Sequence, residues 1–180
     1  MVVLYISLDE CDNSNDMWRI IGKGIRKELK KQFHSSDKYT NFIDELDFED
    51  VDENNIDYEY VCSVARCMKA SGFLGLILID EFDNFSTIAT KGTVGQVRTL
   101  FSGSEYGLRA VVASRRMVER IEKEVEGALN SNVSILASTF VNGYKLKAFN
   151  EDDMKDYWVS IEEKIGVAVS NLSLIHISEP

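Results

Sequence analysis

The strongest constraint on the fold is a short apolar run that ends in two acids, within Phe73–Asn84, FLGLILIDEFDN. Residues 76–79 of this run contain no polar position, which is typical of a strand buried on both faces of a parallel sheet. Such a strand delivers Asp80 and Glu81 to the carboxyl edge of the sheet, where open α/β sheets bind ligands. Because acids also commonly begin turns, this stretch by itself leaves a ligand site and a simple turn both open.

Strands and helices alternate along the rest of the chain. Apolar and β-branched runs predict further strands at Val2–Leu8, Leu108–Ala113 and Tyr144–Phe149. Helical spacing of apolar residues predicts helices at Met17–Phe33, Ile56–Ser71, from Val118 through Val125 and after Asn150. Thr93 and Gln96 form a predicted capping box for one more helix, which runs to Phe101. We therefore expect an α/β fold with a three-layer parallel sheet.

Composition narrows the class of partner. The net charge of −10 argues against a general nucleic-acid or anionic-membrane surface, because no excess of basic residues exists to neutralise phosphates. No apolar run approaches the ~18 residues of a membrane span, and no basic leader precedes the first strand. The three cysteines form no C-x-x-C and do not suit a disulfide framework. We expect a cytoplasmic protein with reduced thiols and no membrane partner.

The order of features along the chain forms a pattern. An apolar strand ending in Asp80-Glu81 is followed by a helix and then by a strand ending in Ser114-Arg115, and a short strand and a helix introduced by acids complete it. This order, over about residues 2–159, resembles the P-loop ATPases of the AAA+ and STAND type, in particular members with an origin-recognition-like nucleotide domain. The resemblance implies a P-loop NTPase sheet that binds ATP and Mg²⁺ and couples hydrolysis to a conformational switch.

The resemblance also implies roles for individual residues. Asp80-Glu81 would be the Walker B element, in which Asp80 holds Mg²⁺ mostly through water and Glu81 orients and deprotonates the attacking water. Ser114 would read the terminal phosphate of the nucleotide or position that water. Arg115 would support Ser114, although it could equally face solvent or pair with Glu119.

The phosphate-binding loop of this family has no match in the sequence. There is no G-x-x-x-x-G-K-S/T, and the nearest candidate, Gly22-Lys23-Gly24, lies inside a predicted helix. We expect a strand, loop and helix before Met1, whose strand would lie next to the strand ending at Ser114. Lacking these elements, the chain alone is expected to fold poorly and to hydrolyse no ATP.

The predicted domains follow from the same resemblance. Residues 1–149 would be a partial ATPase core, and residues 150–171 would begin a helical lid. Residues 172–180, LSLIHISEP, match the in-frame translation of a sequencing adapter and are expected to be a processing scar. The complete protein could self-associate or bind a protein partner through adjacent domains.

Two other classes of function remain open. The first is a non-catalytic α/β interaction module, with the acidic stretch Asp44–Glu59 as a docking face for a basic partner. The second is a metal-dependent hydrolase using the carboxylates of Asp80, Glu81 and Asp83, for which the sequence lacks the histidines or further acids that would complete a site. For an arginine finger the sequence offers three candidates and selects none of them: Arg109, Arg116 and Arg120.

Overall fold

The computed structural model describes residues 1–33, 52–130 and 136–140, together with positions 143, 150, 152, 155, 156 and 159. The chain divides into two compact units, Met1–Asn142 and Gly143–Pro180. The predicted strand at Tyr144–Phe149 lies outside the described residues, as does most of the predicted lid helix. The predicted limits of core, lid and adapter therefore stay predictions.

Strands and helices alternate in the first unit, which is an α/β structure. In chain order the elements are β1 (Val2–Ser7), α1 (Ser14–Phe33), α2 (Tyr58–Ala70), β2 (Gly75–Asp80), α3 (Phe85–Ile88), α4 (Lys91–Ser102), β3 (Leu108–Val112) and α5 (Val118–Leu129). The strands predicted at Val2–Leu8 and Leu108–Ala113 are confirmed to within one residue. None of the helices in these described ranges is long and apolar enough to cross a membrane.

The strands form a parallel sheet in the order β1-β2-β3. Val2 pairs with Gly75, and Gly75 pairs in turn with Leu108, so the three strands start level with one another. Ser7 pairs with Asp80 at the other end. The acidic strand is therefore the middle one, and its carboxyl end is flanked on both sides.

One face of this sheet is buried and the other is largely exposed. The buried face carries Val2, Ile6, Ile77, Ile79 and Leu108, whereas Val3, Tyr5 and Val111 on the opposite face are 41%, 62% and 54% exposed. Right-handed crossovers that step in one direction along a sheet place their helices on the same face, which accounts for this one-sided burial. The described ranges thus show one helical layer, and the predicted third layer stays a prediction.

Helix α1 anchors the helical layer through Trp18. The apolar side chains predicted to face inward, including Ile21, Ile25 and Leu29, are buried. The Trp18 ring packs 5.1 Å from the Tyr58 ring on α2, and its indole N–H donates to Gln96 Oε1 on α4 at 3.1 Å. One side chain therefore links three helices, and a buried indole with a satisfied N–H stabilises the core without a polar penalty.

The start of α4 differs from the prediction. The helix begins at Lys91, and its capping box is formed by Thr90 and Thr93, each accepting a backbone hydrogen bond from the other. Thr93 is thus the third helical residue and is buried, while Gln96 bonds to Trp18. The predicted box of Thr93 and Gln96 is wrong. The Gln96 side chain accepts from Trp18 and is not available to cap the helix.

The described part of the acidic stretch packs on its own chain. Glu53 forms an ion pair with Lys23 of α1, and Ile56 is buried beside Gly22. The Asp57 side chain accepts from the backbone N–H of Tyr60 at 2.9 Å and caps α2. These residues therefore make intramolecular contacts while their acidic side chains remain exposed, and the docking face predicted at Asp44–Glu59 stays a prediction.

Gly107 generates a stability test, because backbone atoms crowd it. A Cβ there would lie 2.9 Å from the Phe73 carbonyl oxygen and 3.1 Å from the Lys69 nitrogen, and neither atom can rotate away. We expect Gly107→Ala to lower the free energy of unfolding by about 1–3 kcal/mol in urea denaturation.

Gly127→Ala in α5 is the matched control. Nothing lies within 4 Å of a Cβ at this position. Alanine should therefore raise the free energy of unfolding by about 0.5–1 kcal/mol through helix propensity. If the two substitutions shift the unfolding midpoint in the same direction and by equal amounts, the close approach at Gly107 is not as described.

Candidate functional site

The loops that follow β2 and β3 enclose an open cleft of about 190 Å³ at the carboxyl edge of the sheet. Its lining consists of Asp80, Glu81, Asp83, Ala113, Ser114 and Arg115. All four residues predicted for the site, Asp80, Glu81, Ser114 and Arg115, therefore lie together. Their chemical roles stay predictions, because proximity alone does not establish them.

Asp80 is oriented by two neutral donors. The Tyr5 hydroxyl on β1 donates to Oδ2 at 2.8 Å, and the backbone N–H of Glu81 donates to Oδ1 at 2.8 Å. These hydrogen bonds hold the pKa of Asp80 below its ordinary value, and the bond from Tyr5 has the larger effect. Asp80 forms no ion pair within the described part of the chain. Its carboxylate is therefore ionised and still has acceptor positions for a cation.

Glu81 is held by Arg115. The Arg115 Nη2 donates to both carboxylate oxygens of Glu81, at 2.9 and 2.7 Å, and this bond raises the pKa of Arg115. Arg115 therefore pairs with Glu81 and not with Glu119, one of its predicted partners. The Arg115 side chain is 80% exposed, against 30% for Glu81. The pair is therefore accessible to solvent and to a ligand.

The backbone of Glu81 is also unusual. Its φ of 49° and ψ of 41° lie in the left-handed region, which residues other than glycine adopt at a cost in conformational energy. This conformation turns the chain directly from β2 into the 3₁₀ turn Phe82–Asn84. Strained residues of this kind cluster at functional sites, so this backbone conformation marks Glu81 as a candidate functional residue.

Asp83 ties the two loops together. Its carboxylate accepts from the backbone N–H groups of Arg115 and Arg116 at 2.7 and 3.1 Å and from Arg116 Nε at 2.8 Å. Arg116 Nη2 returns a bond to the Asp83 carbonyl at 2.7 Å, and Nη1 bonds Glu124 on α5. Burial by itself raises the pKa of Asp83, but the hydrogen bonds together lower it by more than burial raises it. The pKa of Asp83 is therefore below its ordinary value.

These contacts decide between earlier alternatives. The oxygens of Asp83 are committed to the neighbouring loop, and within the described ranges no three His, Cys, Asp or Glu side chains are placed to hold a metal ion. The described residues therefore offer no ligand set for a metal-dependent hydrolase, a class for which the sequence already lacks further ligands.

The three candidate arginine fingers also differ in their contacts. Arg116 is engaged inside the site by Asp83 and Glu124. Arg109 lies at the start of β3, away from the cleft, where Nη1 donates to the Leu108 carbonyl at 2.6 Å. Arg120 pairs with Glu124 on the exposed side of α5. These contacts make Arg116 a structural residue of the site and assign no finger.

Ser114 lies beyond the end of β3 and lines the cleft. Its hydroxyl donates to the Arg116 carbonyl at 2.5 Å, within its own loop. In this arrangement the hydroxyl helps shape the loop, and its predicted role as a phosphate sensor stays a prediction.

Tyr5 is the site residue that the sequence did not reveal. Its apolar surroundings in VVLYIS read as a strand and nothing more. A signal was present, since side chains alternate along a strand and Tyr5 shares a face with Ser7, the partner of Asp80 in the sheet. Aligning the two strands by their ends would have placed the hydroxyl near the acid.

No family model matches this chain. The curated proteins also contain no match. Among solved structures, the Walker-type ATPase of Pyrococcus abyssi is similar, with 10% sequence identity and a TM-score of 0.45. The match covers 94% of this chain and 48% of that one, so the chain spans about half the length of that ATPase. A likeness of this size supports no conclusion about family.

Asp83 provides the stability test of the site. Asp83→Asn should lower the free energy of unfolding by about 1–2 kcal/mol at neutral pH, less than for a fully buried pair because Arg116 is 31% exposed. Since the pKa of Asp83 is lowered from 3.8, its contribution is present above that pH and is lost as the pH falls through the folded-state value.

Urea denaturation of both proteins across pH 2 to 7 checks this expectation. The difference between wild type and Asp83→Asn should be largest near neutrality and should shrink below about pH 4. Asp12→Asn, at an exposed aspartate, is the matched control and should change stability by less than ~0.5 kcal/mol. Equal unfolding midpoints for wild type and Asp83→Asn at pH 7 would show that the link between the loops contributes nothing.

Proposed function

We propose that this carboxyl edge is the magnesium and water-activating side of an ATP site in a P-loop ATPase of the AAA+ or STAND type. The observation that carries the proposal is the difference between Asp80 and its acidic neighbours. Glu81 and Asp83 are each paired with an arginine, whereas Asp80 is held by two neutral donors. Asp80 is thus the carboxylate of the cleft whose charge remains available to a cation.

The donor set fits Mg²⁺ bound together with a nucleotide. Mg²⁺ keeps several of its waters and usually takes one or two carboxylates plus phosphate oxygens, so it needs no cage of three protein ligands. Asp80 is a single ionised carboxylate at the end of the middle strand, which suits this mode. When bound, the ion would neutralise negative charge on the phosphates.

Glu81 fits the role of a base for water. It is the residue next to Asp80, and its carboxylate lines the same cleft. A carboxylate within hydrogen-bond reach of a water can accept its proton during attack on a phosphate. Ser114 and Arg115, from the loop after β3, complete the side of the cleft that a terminal phosphate would face in this proposal.

The phosphate cradle is the part that these residues do not supply. The sequence contains no G-x-x-x-x-G-K-S/T, so the proposal takes the cradle from a segment outside it. Within the described ranges β3 pairs with β2 alone, so its other edge has no described partner. The resemblance would place the strand that precedes the cradle at that edge.

The test uses the protein that joins this chain to a phosphate-binding loop. Glu81→Gln should retain MgATP binding while turnover falls by about two orders of magnitude or more, because a general base is removed. Asp80→Asn should weaken the dependence of ATP binding on Mg²⁺. Equilibrium binding and steady-state phosphate release measure the two effects.

Glu119→Gln on α5, outside the cleft lining, is the matched carboxylate control and should change neither quantity. Undiminished turnover by Glu81→Gln would remove Glu81 from the mechanism. Tight, magnesium-dependent ATP binding by the 180-residue chain alone would show that no separate phosphate cradle is needed.

A further inference from the structure

Arg115 is the one cationic side chain among the described residues that line the cleft. Its guanidinium is bound to Glu81, the same carboxylate that the proposed function uses as a base. The contact therefore sets a condition on that chemistry. Both Glu81 oxygens accept from the guanidinium, so part of their capacity to accept from a water is already taken.

The arginine can change partners without moving its backbone. The Arg115 N–H is fixed to Asp83 Oδ2 at 2.7 Å, so the main chain is held independently of the side chain. The side chain itself is 80% exposed and has little packing to lose. A terminal phosphate carries more negative charge than a carboxylate and matches the guanidinium equally well.

We propose that Arg115 couples the terminal phosphate of the nucleotide to Glu81. In the ligand-free protein Arg115 holds Glu81; a bound terminal phosphate takes over the guanidinium and leaves Glu81 free to act on water. The inference rests on the proposed function and adds an exchange of partners within its site. Glu81 and the terminal phosphate compete for one cation, so Glu81 is released from Arg115 when the phosphate is in place.

Competition predicts a specific energetic coupling between Glu81 and Arg115. Removing Glu81 as an acceptor should tighten binding of the nucleotide that has a terminal phosphate and leave the diphosphate unaffected. Because exposed ion pairs are weak, the expected gain is roughly two- to five-fold in affinity. The gain should require Arg115. If the loss of charge at Glu81 acted directly on the phosphate, the gain would appear without Arg115 as well.

The experiment is a double-mutant cycle on the protein that joins this chain to a phosphate-binding loop. The measured quantity is the ratio of the dissociation constant for MgADP to that for MgATP. Glu81→Gln should raise this ratio roughly two- to five-fold over wild type. Arg115→Gln should lower it, and Glu81→Gln added to Arg115→Gln should then have no further effect.

Arg98→Gln, at an exposed arginine of α4 outside the cleft lining, is the matched control and should leave the ratio unchanged. If Glu81→Gln raises the ratio equally with and without Arg115, the coupling is absent and the inference is overturned while the ATP site stands. If wild type binds neither MgATP nor MgADP, the proposed function fails and the inference fails with it.

Discussion

The geometry of the candidate site depends on the link between Asp83 and Arg116. The loop after β2 is anchored by buried Phe82, which stacks on Phe85 and donates its backbone N–H to the Ala113 carbonyl at 2.9 Å, whereas Ser114 and Arg115 after β3 are exposed. Asp83 accepts three hydrogen bonds from the second loop, and Arg116 extends the link to Glu124 on α5. Charge-assisted bonds in this partly buried position hold the loops in register, which keeps Glu81 and Arg115 within reach of each other.

Three carboxylates within four residues thus have three different environments. Asp83 is 13% exposed and bonded to a partly buried arginine, so its link is structural. Glu81 is bonded to an arginine in solvent, and water screens that attraction, so its link is exchangeable. Asp80 is bonded to neutral donors and forms no ion pair among its described contacts. Environment, not residue type, therefore separates a structural link, an exchangeable ion pair and a carboxylate without an ion-pair partner in the described part of the chain.

Local pattern predicted the elements and the meeting of the strand ends. The periodicity of α1 and the apolar run of β2 are properties of adjacent residues, and parallel strands bring Asp80 and Ser114 to one edge by topology. The bonds of Asp83 could not be predicted, because they depend on two loop conformations more than 30 residues apart in sequence. The cap at Thr90 was missed because a tertiary contact, from Trp18 to Gln96, decided which polar residue was free to cap.

The exposed face of the sheet bears on the phosphate cradle that the proposed function requires. A strand connected to β1 and paired with the edge of β3 that has no partner among the described strands would step across the sheet in the direction opposite to the β1-β2-β3 path. Its right-handed crossover helix would then lie on the opposite face, over Val3, Tyr5 and Val111. The loop before that helix would lie at the carboxyl edge, where helix N-termini bind phosphate. Covering Tyr5 would also exclude water from its bond to Asp80 and strengthen it. In the proposed function, a single strand-loop-helix unit would therefore both bury the apolar face and supply the phosphate cradle.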